Sequence, residues 1–98
     1  MRVLINTCYG GYRISEECAQ ALGLQLWEVN ELPRTDERLL GLYDYWGSDW
    51  ISGGHSSHIV AVEIPDTATD WEISEYDGSE EVIYVENGKI HHHPQWLR

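Results

Sequence analysis

Two glycine turns in the second half of the chain restrict its fold more than any other feature. Asn87-Gly88 is the dipeptide most typical of a two-residue β-hairpin loop, and short strand-like segments flank it at Val82–Val85 and Lys89–His91. Asp77-Gly78 ends an alternating segment, Trp71–Tyr76, which also has the pattern of a strand. These turns predict consecutive short strands towards the C-terminus.

The first thirty residues have the pattern strand, helix, strand. Arg2–Thr7 is a β-branched and apolar run that is followed by a glycine turn at Gly10-Gly11. Ser15 precedes two glutamates at the position of a helix N-cap, and Gly23 lies where a C-terminal cap is expected. Leu24–Val29 alternates and predicts a second strand, and this order of elements favours a parallel pair.

A second helix is predicted after Thr35, which has the position of an N-cap. Apolar side chains follow at helical spacing as far as Trp46. Gly47–His58 is a long loop rich in glycine and serine, and Ile59–Ile64 is a strand. The sequence therefore predicts an α+β fold in a single domain over residues 1–98. Its expected architecture is a mixed β-sheet of five to six strands with two short helices on one face.

The chain is strongly acidic. It has 17 Asp and Glu against 6 Lys and Arg, which gives a formal net charge of −11. Direct binding to DNA or RNA and attachment to anionic lipid both need a basic face, so the composition disfavours these two classes. No apolar run approaches the ~20 residues of a membrane span. Two cysteines without a secretory signal are typical of free thiols in a reducing cytoplasm.

Several short blocks of sequence, in a fixed order, carry a family resemblance. They are Ile5–Tyr12 (INTCYGGY) with Ser15, Arg34–Asp36, Val62–Asp66 (VEIPD), Trp71–Ile73 and Tyr76–Gly78. In these blocks the chain resembles small phage and prophage proteins of mostly unassigned function. Those proteins tend to continue with a charged helical segment, whereas Asn87-Gly88 predicts a hairpin here.

The resemblance implies a phage origin and, as location, the cytoplasm of the infected bacterial host. Small phage proteins of this size commonly act by binding and blocking a host component. One such class, the Thoeris anti-defence sponges, sequesters cyclic ADP-ribose-type immune signals. The resemblance thus implies a role in which a small immune signal is captured.

A candidate ligand site lies at the glycine turn between the first strand and the first helix. Backbone N–H groups at such a turn can hold a phosphate, Tyr9 and Tyr12 can stack on a base, and Arg13 can pair with the phosphate. Against this, Glu16 and Glu17 place negative charge nearby, and a tight turn covering the sheet edge explains the same residues. The predicted ligand-binding residues are Asn6, Tyr9, Gly10, Gly11, Tyr12, Arg13, Ser15, Arg34, Arg38, Trp50 and His55.

The histidines allow a metal site. His55 and His58 lie in the long loop. His91 and His93 project from the same side of a strand, and Asp49 can replace one imidazole. The spacing matches no structural zinc motif, and the cysteines are not paired as CxxC. Neither a metal nor a cofactor is therefore expected.

Two features allow an enzyme. His55-Ser56-Ser57 fits one half of the paired H-x-S/T signature of two-histidine phosphoesterases, but no second motif follows. Cys8 has the position of a nucleophile near a helix N-terminus, although a buried thiol at a strand end is the commoner reason for such a cysteine. No catalytic residue is therefore assigned.

The acidic residues are concentrated in one stretch. Glu63 to Glu86 contains nine Asp and Glu and no Lys, Arg or His. On alternating strands, some of these carboxylates lie along one sheet face with a spacing close to that of backbone phosphates, as in a DNA mimic. A solvated face that keeps an aromatic-rich protein soluble explains them as well.

The sequence favours a non-enzymatic phage counter-defence protein that sequesters a nucleotide-derived immune signal, of the cyclic ADP-ribose type or a cyclic nucleotide. One alternative is an acidic, DNA-mimic-like inhibitor of a host nucleic-acid-binding or defence protein. A second alternative is a hydrolase of the same signal. The 5 Trp and 6 Tyr exceed what one small core readily buries, which predicts a homo-oligomer with aromatic residues at its interface.

Overall fold

Four helices lie between the first and second strands, and three further strands follow. A computed structural model describes residues 1–93. Its elements, in chain order, are β1 (Arg2–Asn6), α1 (Glu16–Leu22), α2 (Leu26–Asn30), α3 (Glu37–Trp46), α4 (Ser48–Ile51), β2 (Ile59–Glu63), β3 (Asp70–Tyr76), β4 (Ser79–Glu86) and β5 (Lys89–His93). The predicted α+β class and the lower strand count of five are confirmed.

The strands form two antiparallel sheets, where one mixed sheet was predicted. β1 pairs with β2, with Val3 opposite Val62 and Ile5 opposite Val60. β3, β4 and β5 form a meander in which each strand pairs with the next. Both hairpin turns of this meander are tight, and a tight turn can only join antiparallel strands. The predictions made from the two glycine turns are confirmed.

The prediction of a strand at Leu24–Val29, and with it the parallel pair, is wrong. Residues Leu26–Asn30 form helix α2 instead. The Gln25 backbone N–H donates to the Glu28 carboxylate over 2.9 Å, an interaction that caps the first helical turn. Val29 is fully buried in the core beneath the helices. In so short a segment, alternation and helical spacing overlap, so local capping and tertiary packing decide.

The ends of the other helices follow the sequence signals closely. Ser15 caps α1 through its hydroxyl, which accepts from the Cys18 N–H over 3.1 Å, and Gly23 ends it with φ of 70°. The N-cap of α3 is Asp36 and not Thr35, because the Asp36 carboxylate accepts from the backbone N–H groups of residues 38 and 39. Residues 1–93 contain four helices, two more than predicted. The two additional helices are single turns: α2 replaces the predicted strand, and α4 lies within the predicted loop Gly47–His58.

β1 lies in the middle of the molecule, and its residues 3–6 are fully buried. Its side chains alternate between two hydrophobic clusters. Leu4 packs in the cluster under the helices, whose buried members are Leu4, Ile14, Cys18, Ala19, Val29, Leu39, Leu40, Ile51 and Ile59. Val3 and Ile5 pack in a cluster that faces the three-stranded sheet, with Val62, Ile64 and Val82. The helices and the meander thus cover opposite faces of the β1–β2 pair.

Within residues 1–93, no helix has the length and apolar character that crossing a membrane requires.

Candidate functional site

The glycine turn after β1 is held between two other segments of the chain. The Gly10 N–H donates to the Ser56 carbonyl over 2.7 Å, and a Cβ on Gly10 would lie 2.1 Å from the Ser56 Cβ. On the other side, a Cβ on Gly78 would lie 2.0 Å from the Tyr9 carbonyl oxygen. Glycine is required here because three backbone segments approach one another closely. The Gly10 N–H is hydrogen-bonded within the protein and is therefore not available to a ligand.

Asn6 joins the same three segments. Its side chain is fully buried, and its amide nitrogen donates to the carbonyls of Cys8 and Gly78. Its amide oxygen accepts from the backbone N–H groups of Cys8 and His58. All four hydrogen-bonding positions of the amide are therefore occupied by the protein itself.

Arg34 and Tyr12 belong to a buried polar cluster, which we define as Asn6, Tyr12, Arg34 and Glu80. Arg34 makes a bidentate ion pair with Glu80, with distances of 2.8 and 3.0 Å. Glu80 is 6% exposed and also accepts from the Asn6 backbone N–H over 2.8 Å. The Arg34 guanidinium lies 3.5 Å from the centroid of the Tyr12 ring. This cluster connects β1 to β4 where no backbone ladder does.

Tyr12 is held in an apolar setting despite its polar neighbours. Burial raises the pKa of its phenol to about 12. Within residues 1–93 its hydroxyl has no hydrogen-bond partner, although it is buried. The ring therefore contributes packing and a π face, and the hydroxyl stays protonated at physiological pH.

An open groove of about 590 Å³ lies beside this cluster. It is lined by Tyr12, Arg13, Ile14, Ser15, Glu16, Glu17, Leu26, Asn30, Ser52, Gly53 and Gly54, and we call it the Arg13 groove. Its walls come from the turn before α1, from α2 and from the loop after α4. The groove thus combines parts of two segments that contain predicted ligand-binding residues, residues 9–15 and residues 50–58.

The walls of the Arg13 groove are fastened to one another by backbone hydrogen bonds. The Gly53 N–H donates to the Arg13 carbonyl over 2.8 Å, and the Ser15 N–H donates to the Ile51 carbonyl over 2.8 Å. On the α2 side, the Asn30 amide oxygen accepts from the Ile14 N–H over 2.9 Å. Because two main-chain hydrogen bonds and one hydrogen bond to the Asn30 side chain hold the three segments together, the groove is preformed.

Arg13 differs from the other arginines of residues 1–93 in having no ion-pair partner. Arg2 pairs with Asp44, Arg34 with Glu80 and Arg38 with Asp36; these contacts are the only arginine ion pairs in this part of the chain. Arg13 is exposed and lines the groove. In a protein with an excess of eleven negative charges, an unpaired guanidinium is a free binding group for an anion.

The groove also carries negative charge. Glu16 and Glu17 are exposed in the first turn of α1 and line it. A ligand that is only an anion meets repulsion from them. A ligand with one anionic group and several hydroxyl or amino donors suits both the guanidinium and the carboxylates.

Only three of the eleven predicted ligand-binding residues lie together in the groove. Tyr12, Arg13 and Ser15 line the Arg13 groove, and the other eight lie outside its lining. Among these eight, Tyr9 is 74% exposed, Arg38 pairs with Asp36, and the Trp50 ring stacks on Trp46 at 5.5 Å. The groove residues Leu26 and Asn30 of α2 were not predicted from the sequence, and in the loop after α4 the predicted residues were Trp50 and His55 where the lining residues are 52–54. No local signal identifies them, because their place in the groove depends on contacts distant in sequence.

The metal and enzyme interpretations find little geometric support in residues 1–93. No group of three or more His, Cys, Asp or Glu there is arranged to hold a metal ion. Ser48 Oγ lies 3.3 Å from His58 Nδ1, but its proton is donated to the Ile59 carbonyl over 2.5 Å. Cys8, the candidate nucleophile, is half-buried and lies eight positions before the start of α1, so it is not at a helix N-terminus. Burial raises the pKa of the other thiol, Cys18, to about 11, so that thiol remains neutral.

The acidic stretch from residue 63 to 86 is divided among several environments. Glu80 is buried against Arg34, and Glu81 lies 2.7 Å from His92. Glu63 and Asp66 contact the N-terminal ammonium group, whose pKa they raise through hydrogen bonds. These four carboxylates therefore do not lie along one face, whereas Asp70 and Glu72, two residues apart on β3, share a face of the sheet as predicted for some of the nine.

Comparison of the chain with protein-family models, with curated proteins and with solved structures gave no match.

Proposed function

We propose that this protein is a non-enzymatic binding protein that captures a small nucleotide-type ligand in the Arg13 groove. The observation that carries this proposal is Arg13 itself, the one arginine of residues 1–93 without a carboxylate partner, in a preformed groove. The groove volume of about 590 Å³ lies within the range of about 300–1,000 Å³ that is usual for small-molecule sites.

Each part of the groove has a role in this proposal. Arg13 binds a phosphate through charge-assisted hydrogen bonds. Glu16 and Glu17 accept hydrogen bonds from ribose hydroxyls, as acidic residues do in dinucleotide sites. The Tyr12 ring and Leu26 offer surface to a base. This division of roles makes the carboxylates compatible with a phosphorylated ligand.

The setting that fits this binding is phage counter-defence in the cytoplasm of an infected bacterium, as the sequence resemblance implies. There, a protein made in excess lowers the free concentration of a nucleotide-derived immune signal, of the cyclic ADP-ribose type or a cyclic nucleotide, below the threshold of the host sensor. Capture alone suffices, so no catalytic residue is needed.

The proposal is tested by titrating the protein with ADP-ribose and with 3′,5′-cyclic AMP, using calorimetry and NMR. Arg13→Ala is expected to weaken binding by about 1.5–3 kcal/mol, or roughly 10- to 150-fold. The matched control is Arg38→Ala, because Arg38 is exposed but lies outside the groove. The proposal would be contradicted if neither probe bound saturably, or if Arg13→Ala and Arg38→Ala lowered the binding affinity equally.

Capture and hydrolysis are separated by analysing the product. After incubation, the protein is denatured by heat and the released nucleotide is identified by mass spectrometry. Intact nucleotide in stoichiometric amount is expected for a binding protein. Turnover of the probe beyond one equivalent would favour the hydrolase.

We also propose a homo-oligomer. In the part of the chain that the structure describes, five aromatic side chains are more than half exposed: Tyr9, Trp27, Tyr45, Trp46 and Tyr76. Tyr45 and Trp46 lie in T-shaped contact at 5.0 Å near the end of α3, and Trp46 stacks on Trp50. Aromatic residues are enriched at subunit interfaces. A mass of 11.3 kDa by light scattering at micromolar concentration would show a monomer and contradict this proposal.

A further inference from the structure

The three-stranded sheet has one face covered by the rest of the molecule and one face open. On β3 and β4, Val82 belongs to the cluster that faces β1 and β2, and Trp71, Ile73 and Tyr84 pack against it. Side chains alternate along a strand, so their neighbours point the other way. We call this other side the outer face; its residues are Asp70, Glu72, Ser74, Tyr76, Ser79, Glu81, Ile83, Val85, Ile90 and His92.

Apolar side chains meet at the centre of the outer face. Val85 lies opposite Ile90 on β5, and Ile83 lies opposite Glu72 on β3. Ile90 is 68% exposed, which is unusual for an isoleucine within a strand. A depression of about 230 Å³ is lined by these three apolar residues together with Trp71, Asp70 and Glu72. A second depression of about 280 Å³ is lined by Ser74, Tyr76, Ser79 and Glu81.

The charge of the outer face has one sign. None of its ten residues is a lysine or an arginine. His92 is its only basic group, and its Nδ1 lies 2.7 Å from the Glu81 carboxylate. Asp70 and Glu72 are exposed at the rim of the first depression and make no ion pair within residues 1–93. The Asp70 carboxylate accepts from the Trp71 backbone N–H over 2.9 Å, which leaves its second oxygen without a hydrogen bond within residues 1–93. An apolar centre with carboxylates that make no ion pair there suits a side chain with an aliphatic stem and a cationic end.

We propose that the outer face binds a basic segment of a partner protein, a function separate from ligand capture in the Arg13 groove. Arginine or lysine stems lie on Ile83, Val85 and Ile90, and their charged ends reach Asp70 and Glu72. A second copy packed face to face is disfavoured as the occupant of the outer face, because it would bring the same carboxylates, Asp70, Glu72 and Glu81, against these ones. Nucleic acid is disfavoured because its phosphates would lie against the same carboxylates.

The test uses a fluorescein-labelled synthetic peptide of eight residues that alternates arginine with valine, measured by fluorescence anisotropy at about 0.15 M salt, where distant charges are screened. The double variant Asp70→Asn with Glu72→Gln is expected to weaken binding about tenfold or more. The control is Glu31→Gln with Glu37→Gln, two exposed glutamates off the sheet, which removes the same charge. It is expected to change binding less than about threefold.

A third variant tests the apolar part without changing charge. Ile90→Ser is expected to weaken peptide binding about threefold to tenfold, since it removes an exposed side chain on which the stems rest. Amide shifts of the wild-type protein on peptide addition give a test that needs no variant, and we expect them on β3, β4 and β5.

Three results would overturn the proposal. Equal losses in the two double variants would mean that net charge alone attracts the peptide. Shifts confined to the helices and the Arg13 groove would place the peptide elsewhere. A wild-type dimer that Ile90→Ser dissociates would identify a second copy as the occupant.

Discussion

The buried polar cluster and the Arg13 groove use similar side chains for opposite purposes. In the cluster, Arg34 is held by Glu80 and by the Tyr12 ring, and the carboxylate is 6% exposed. In the groove, Arg13 is exposed and has no ion-pair partner within residues 1–93, while the neighbouring Glu16 is exposed as well. The buried pair of Arg34 and Glu80 connects two parts of the fold, whereas the exposed guanidinium of Arg13 remains available to bind a ligand.

The comparison predicts that the largest loss of stability comes from the cluster. Glu80→Ala leaves the Arg34 guanidinium and the Asn6 N–H without their acceptor. We expect the free energy of unfolding to fall by about 3–4 kcal/mol, near the lower end for a broken buried pair because Arg34 is 24% exposed. Denaturant titration followed by tryptophan fluorescence measures this.

The adjacent residue provides the control for that prediction. Glu81→Ala removes a half-buried carboxylate whose ion pair within residues 1–93 is with His92 and which accepts no backbone N–H there, so we expect a smaller loss, below about 1 kcal/mol. Equal losses for the two glutamates would show that burial of Glu80 does not distinguish the cluster from the surface.

The next largest effect concerns the close approach of the β3–β4 turn to the loop after Asn6. Gly78→Ala places a Cβ 2.0 Å from the Tyr9 carbonyl oxygen, whereas Gly88→Ala meets nothing within 4 Å. Both glycines have positive φ, of 85° and 75°, so both variants bear a similar backbone cost of about 1–2 kcal/mol. We expect Gly78→Ala to cost about 2 kcal/mol more.

Thermal and denaturant unfolding of the two glycine variants side by side test this prediction. A difference of less than about 0.5 kcal/mol would mean that the loop moves away from the turn freely. The hydrogen bonds that Asn6 makes to Cys8, Gly78 and His58 would then not hold the loop before the groove rigidly.

Substitution of Asp36 is expected to lower the free energy of unfolding by less than substitution of Glu80 and by more than substitution of Arg13. This loss depends on pH. Hydrogen bonds from the Arg38 side chain, and then from the backbone N–H groups of Leu39 and Arg38, hold the pKa of Asp36 below its ordinary value. Its contribution is therefore complete above the unfolded pKa of about 3.9 and is lost as pH falls through the folded pKa. At pH 7, Asp36→Ala is expected to cost about 1 kcal/mol, as for other N-caps.

Stability curves from pH 7 to pH 2 check the sign of this dependence. The difference between wild type and Asp36→Ala is expected to shrink below the unfolded pKa. Asp44→Ala is the control, because Asp44 also pairs with an arginine but caps no helix. A difference that grows towards acid pH would contradict the assignment.

The smallest effect on stability is expected at Arg13. Arg13→Ala should change the free energy of unfolding by no more than about 0.5 kcal/mol, because the side chain is exposed and makes no ion pair within residues 1–93. Arg34→Ala leaves the buried Glu80 carboxylate without its ion-pair partner, so it should lower the free energy of unfolding several times as much. If both arginines mattered equally for folding, Arg13 would be a structural residue and the groove would lose its proposed binding group.

Turns and helix caps were predictable because residues adjacent in sequence determine them. Asn87-Gly88 forms the β4–β5 turn with φ of 54° and 75°, a conformation that these two residue types tolerate. Ser15 and Gly23 cap α1 as predicted. The segment Leu24–Val29 failed because alternation over six residues also fits a helical turn, and the Gln25–Glu28 cap decided between them.

Of the candidate site, the sequence by itself located the two segments, residues 9–15 and 50–58, and the chemistry of Arg13. Only the tertiary structure decided which residues were free. Arg34 is taken by Glu80, 46 positions away, and Asn6 is taken by Gly78 and His58, 72 and 52 positions away. The physical reason is that a polar side chain brought into the core must find partners there, and those partners depend on how distant strands come together.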